Sequence, residues 1–231
     1  KSMSCNGFTP MMSAMIPIKR EKNCVAAVKL LLNNGVPIND VIAALTQQTA
    51  IHVAVCNNLP SVVSFLLQMD ADPNVTDVSG HTPLHLAVGG NLDSIVKLLA
   101  LHKVDLYKEN VMGENALILA IKCKNLKNIE TLIKNGYDPN KTITSGSSSP
   151  LHAAALFCRL DVVKQLVNFG ANVNLTVGLM STPLHALASR VVDLAYVKNQ
   201  AKERKDIAEF LVDKGAELNA TDGAMNTPFQ V

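Results

Sequence analysis

The chain has 231 residues, 48% hydrophobic but only 4% aromatic, and it has no tryptophan. Its 21 basic and 19 acidic side chains leave a formal charge of +2, too weak a field to draw nucleic acid or an anionic membrane. No run approaches the ~20 apolar residues of a membrane helix, and the opening KSMSCNGFTP lacks the apolar core of a secretory signal.

Along the chain, one short cluster returns. FTPMM, QTAIH, HTPLH, ENALI, SSPLH, STPLH and NTPFQ align on Thr9, Thr49, Thr82, Asn115, Ser149, Thr182 and Thr227. The gaps are 40, 33, 33, 34, 33 and 45 residues. A period of 33 marks a stacked repeat, and the two long gaps read as insertions of about 7 and 12 residues, near 15–24 and 189–203. The units then fall at about 5–39, 40–74, 75–107, 108–140, 141–174 and 175–219, with a partial seventh at 220–231.

Each unit predicts two helices. In the third, Thr82 caps the first helix and Pro83 occupies its first turn, where a missing N–H costs nothing. After the turn GGNLD, Ile95, Val96, Leu98 and Leu99 recur at helical spacing. VKLLLNNGVPIN, VSFLLQMDADPN, IETLIKNGYDPN, VKQLVNFGANVN and AEFLVDKGAELN repeat an apolar run, a stop and a turn ending in Asn. Gly35, Gly136, Gly170 and Gly215 stand at the stop, where a left-handed residue ends a helix, and Asp70 and Lys103 replace them in the second and third units. One hairpin is too small to bury its own apolar face, so the expectation is an all-α stack with a continuous core.

The period, the TPLHLA signature and the turn ending in Asn resemble the ankyrin repeat over nearly the whole chain. The resemblance implies a solenoid of helix pairs with β-turn fingers, six units plus part of a seventh. It implies a structural role for His52, His85, His152 and His185, whose rings would hydrogen-bond backbone between neighbouring units. Met12 and Ile118 take that position in the first and fourth units. It also places partner contacts on the turn tips and on the exposed ends of the first helices, along a concave face. The matching tip positions are Val78, Ser79, His81, Val111, Met112, Glu114, Leu179 and Ser181. The matching helix ends are Cys56, Asn57, Lys122, Cys123, Leu156 and Phe157. Met112, Lys122, Leu156, Phe157 and Leu179 are expected to form one continuous partner patch, and Arg190, in the second insertion, is a further contact candidate.

No chemistry competes with this reading. The four histidines sit about one unit apart, roughly 10 Å at helix-packing distance, too far to share a metal through ~2.0 Å bonds. Cys158 follows His152 by six residues, which puts the two on largely different helix faces. No phosphate loop, HExxH or CxxC appears. The expectation is therefore no enzyme, no cofactor and no metal. The five cysteines, widely and irregularly spaced, suit an intracellular, cytoplasmic or nuclear setting. The function expected is a scaffold or adaptor that binds another protein. Narrower versions are a regulator resembling the inhibitor-of-NF-κB family, suggested by QQTAIHVAVCNNLPSVVSFLLQMDADPN, the substrate receptor of a ubiquitin ligase, and a pathogen effector. An enzyme or small-ligand receptor built on the solenoid, with a clamp using Lys122 or Arg190, is the rival class. The expectation from the two ends is a piece of a longer protein, or a repeat with an unusual capping role.

Overall fold

The computed structural model describes residues 9–15, 21–102, 104–144, 148–179, 181–189 and 194–230. The chain divides into two compact units, Lys1–Ala116 and Leu117–Val231. The first holds helices α1 (Pro10–Ala14) and α2 (Glu21–Asn33), a hairpin of β1 (Val41–Ala43) and β2 (Gln48–Thr49), then α3 (Ala50–Cys56), α4 (Pro60–Gln68), α5 (Pro83–Gly89) and α6 (Asp93–Ala100). Helix α7 (Ala116–Lys122) begins at the boundary, and α8 (Leu126–Lys134), α9 (Pro150–Leu156), α10 (Leu160–Asn168), α11 (Pro183–Ala188) and α12 (Leu194–Asp213) complete the second. The architecture is all-α, with β structure confined to the turns between repeats.

Inside each unit the helices lie in two layers. In the first, α3 packs on α4 and α5, and α4 on α2 and α6. In the second, α9 packs on α10 and α11, and α10 on α8 and α12. Repeat positions explain the layers. Ala54, Ala87, Ala120 and Ala154 share one position and are fully buried, and a methyl side chain there lets neighbouring first helices approach closely. Leu66, Leu99, Leu132, Leu166 and Leu211 share another on the second helices and are likewise sealed from water. Each such leucine contributes about 1.5–3 kcal/mol by burial.

Helix ends follow the chain's punctuation. Gly35, Gly136, Gly170 and Gly215 stop the second helices at φ of 80°, 102°, 89° and 89°, and Asp70 adopts 61° at the same position. A Cβ on any of these four glycines would meet nothing within 4 Å, so backbone conformation and not crowding selects glycine. Lys103 lies outside the described residues. The turn between helices needs a second left-handed residue, supplied by Asn58, Asn91, Lys124 and Cys158.

Both long gaps take a form the spacing did not specify. Thr9 to Gly35 spans 26 residues where Thr49 to Asp70 spans 21, but Gly35 to Thr49 spans 14 where Asp70 to Thr82 spans 12. The insertion placed near 15–24 is therefore divided. Part lengthens α2 to 13 residues, against 9 in α4, and two residues enlarge the finger between β1 and β2. The insertion placed at 189–203 becomes helix from Leu194, giving α12 20 residues, about 30 Å at 1.5 Å per residue. Both lengthened helices supply a carboxylate to a neighbour. Glu21 Oε1 accepts the Ser61 N–H at 2.6 Å in the first turn of α4, and Glu203 Oε1 accepts the Leu160 N–H at 3.3 Å at the start of α10. A negative group there satisfies an orphan donor and the positive end of the helix dipole. The Arg204 guanidinium does the converse, donating to the Leu187 and Ala188 carbonyls at the end of α11.

The asparagine that ends each turn links successive repeats. Asn39, Asn74, Asn140 and Asn174 each accept, through Oδ1, a backbone N–H of the next repeat: Asp72, Asp105, Asn172 and Glu217, at 2.7–2.9 Å. Asn140 and Asn174 also donate through Nδ2 to the Gly170 and Gly215 carbonyls. Tyr107 takes the corresponding position in the third repeat.

Candidate partner-binding surface

The surface is built on a buried polar framework. Thr82 has extended backbone and its Oγ1 accepts the His85 N–H at 3.4 Å, capping α5. The His85 ring turns back on the same residue, with Nδ1 2.8 Å from Thr82 Oγ1 and 3.2 Å from Thr82 N. Its Nε2 lies 3.0 Å from the Glu114 carbonyl, one repeat onward. A carbonyl only accepts, so Nε2 carries the proton and Nδ1 accepts. His52 reaches the His81 carbonyl at 3.1 Å, His152 the Ser181 carbonyl at 2.9 Å and His185 the Asn226 carbonyl at 3.0 Å. Each accepting residue immediately precedes the next helix cap, so the ring fixes the base of the following finger. Burial pushes the pKa of His52, His85 and His152 below the usual histidine value, against a smaller upward pull from these carbonyls. These three rings are neutral struts near neutral pH.

The fingers stand on this base. Asp77 Oδ1 accepts the Ser79 and His81 N–H groups, Asn110 Oδ1 those of Met112 and Glu114, and Asp222 Oδ1 those of Ala224 and Asn226, all at 2.9–3.0 Å. In other fingers a β-bridge closes the turn, Ile143 to Ser148 and Val177 to Ser181. Adjacent fingers are joined backbone to backbone: Val78 N to Thr46 O at 3.0 Å, Val111 N to Ser79 O at 3.1 Å, and Gly223 N to Leu179 O at 2.6 Å. Gly80 is required by this ladder, since it holds φ of 73° and a Cβ would come within 2.9 Å of Val111 N.

The tips are apolar and open to solvent. Val78 is 62% exposed, Val111 74%, Met112 72% and Leu179 79%. Ser79, His81, Glu114 and Ser181 are half-buried around them. Two tip residues are missed in the sequence: Leu45, 96% exposed in the enlarged finger, and Met225. Leu45 stands four residues before Thr49, as Val78 does before Thr82 and Val111 before Asn115, so counting back from the alignment residue would have found it. Met225 holds φ of 65° where Gly80 and Gly113 stand in other fingers, so aligning those positions would have found it.

The first-helix ends divide between the two units. Cys56 and Asn57 belong to the first. In the second, Lys122 and Cys123 are exposed, Leu156 and Phe157 are half-buried, and Lys122 Nζ sits 5.7 Å from the centroid of the Phe157 ring. Cation–π contact thus shields one aromatic face. Of the five residues expected in one patch, Met112 belongs to the first unit and Lys122, Leu156, Phe157 and Leu179 to the second. Arg190 lies outside the described residues. Cys158 is buried at φ of 50°, serving the turn between α9 and α10. Among the described residues no cluster of three His, Cys, Asp or Glu side chains is placed to hold a metal, and no helix is long and apolar enough to cross a membrane.

Models of ankyrin repeats in three copies match residues 1–77 and 61–143, and one of ankyrin repeats in many copies matches residues 120–167. The chain belongs to the ankyrin-repeat family. Its fold is that of the ankyrin-repeat domain of Bcl-3, described as a unique member of the IkappaB protein family, with a TM-score of 0.83 and 25% identity over 97% of this chain and 93% of that one. The human ASB11 ankyrin-repeat domain shares the fold with a TM-score of 0.71 and 23% identity over 96% of this chain and 90% of that one. No curated protein matches the chain in sequence. Ankyrin repeats are protein–protein interaction modules and typically non-enzymatic scaffolds.

Proposed function

We propose that this ankyrin-repeat chain is an intracellular scaffold that grips a partner protein with its fingertips and the exposed ends of its first helices. The observation that carries the reading is the set of open apolar tips on backbone-bonded fingers within each unit. Isolated exposed apolar residues are ordinary, but the same feature recurs at Leu45, Val78, Val111, Met112, Leu179 and Met225. Because hydrogen bonds already hold the fingers, little conformational entropy is lost when a partner settles on them. Aromatic and Met side chains, as at Phe157 and Met112, are favoured at interface centres. The test is site-specific photocrosslinking in cells. A crosslinker at Ser79 should trap a discrete partner, whereas one at the exposed Lys97 on α6 should not. Equal trapping at both positions, or none at Ser79, overturns the reading.

A narrower version is favoured by the likeness to Bcl-3, which extends over nearly the whole of both chains. On that version the partner is a transcription factor of the NF-κB type. Purified chain mixed with NF-κB dimers should form a complex by gel filtration, and its absence returns the reading to the general scaffold.

A further inference from the structure

We propose that the fingertips of the first unit receive an amphipathic helix of the partner, with an apolar side chain at every seventh residue and basic residues along its edges. The inference rests on the scaffold reading above and adds the chemistry of the occupant. Leu45, Val78 and the pair Val111 and Met112 supply one apolar tip from each of three successive fingers. The ladder through Val78 N and Val111 N occupies the backbone donors that a partner strand would need, so recognition falls to side chains. Spacing then chooses between a strand and a helix. The first two fingers precede α3 and α5, which pack on each other. The Val111 N to Ser79 O bond holds the third finger against the second, so successive fingers recur every 8–10 Å, roughly. Residues seven apart on a helix share a face and are separated by about 10.5 Å. On a strand, a separation of about 10 Å takes three residues, which point to opposite faces. Only the helix meets three tips with one stripe. The charge of the edges follows from the third finger, which carries Glu109 and Glu114 against Lys108.

The test titrates the full chain against labelled helical peptides. The first has leucines at positions i, i+7 and i+14 and lysine edges. The second has the same composition with leucines at i, i+5 and i+10, and the third has glutamate edges. The first should bind at least about tenfold tighter than either of the others, and the L45S/M112S double variant should lose about tenfold for each anchor removed. Both substituted side chains project into solvent, so circular dichroism and the unfolding midpoint should stay unchanged. Equal binding of the three peptides, or full affinity in the double variant, overturns the proposal. If Ser79 still crosslinks a partner while the heptad peptide neither binds nor competes with it, the helical occupant is wrong and the scaffold reading stands.

Discussion

Where α5 carries His85, α7 carries Ile118, and where α6 carries Ile95, α8 carries Asn128. The third repeat thus puts its polar group where it is satisfied from three sides and its apolar group in the core. The fourth does the opposite. Ile118 is buried but has no donor for the next finger. Asn128 is fully buried, at a position held by Val62, Ile95, Val162 and Ile207 elsewhere, and neither its Oδ1 nor its Nδ2 has a hydrogen-bond partner. Two hairpins of nearly equal length and apolar content therefore differ in polar bookkeeping, and the fourth should be the less stable.

The largest expected effect tests what the hairpins share. Leu99→Ala in α6 and Leu132→Ala in α8 remove equivalent, fully buried side chains. Each should cost about 2–5 kcal/mol in urea unfolding. A much smaller cost for Leu132→Ala would show that the fourth hairpin is already loosened.

Exchanging the polar positions comes next. His85→Ile makes the third repeat resemble the fourth, leaving the Glu114 carbonyl with the Asn110 N–H alone of the two bonds described. It should destabilise by about 1–3 kcal/mol. Asn128→Ile makes the fourth resemble the third, and relief of an unpaired buried amide should stabilise by about 1–3 kcal/mol. Hydrogen exchange should slow in α8 for Asn128→Ile, and an unchanged unfolding midpoint would contradict this account of the difference.

Acid acts through the histidines of the second, third and fifth repeats, where the fourth has Ile118. The folded pKa of His52, His85 and His152 lies below the unfolded value of about 6.5. The unfolded chain therefore takes up protons first as pH falls. Stability from these rings is full above about pH 6.5 and is lost progressively below it. Unfolding midpoints measured from pH 7.5 to 5 should decline, and His85→Ile should decline less steeply than the parent chain.

The smallest effect concerns the finger bases. Asn110 does the work of Asp77 and Asp222 but leaves a buried Nδ2 without a partner. Asn110→Asp removes that donor and strengthens the bonds from Met112 and Glu114 N–H groups, so a gain below about 1 kcal/mol is expected in thermal unfolding.

Much of the fold is legible in the chain because its signals are short-ranged. Thr82 beside Pro83 marks a helix start, and Gly170 a helix stop, through the conformation of a few adjacent bonds. The turn asparagines are visible as landmarks, but their hydrogen bonds join residues 31–43 positions apart and no local pattern names the partner. Asn128 escapes notice because it directly precedes the apolar run IETLIKN and reads as turn polarity. Only the burial of its counterparts, Val62 and Ile95, shows that the position is core. At the surface, Val78, Val111, Met112, Leu179 and Phe157 can be placed by register, whereas the seat of Lys122 over the Phe157 ring is a property of packing.

The sequence by itself determined the period, the helix starts and stops, and the all-α hairpin stack, because steric limits on a few dihedrals repeat with every unit. Tertiary structure alone decided which polar groups find partners and that the insertion before Asp213 becomes three further turns of α12. Those outcomes depend on where neighbouring hairpins place their free N–H and C=O groups, which no single repeat encodes.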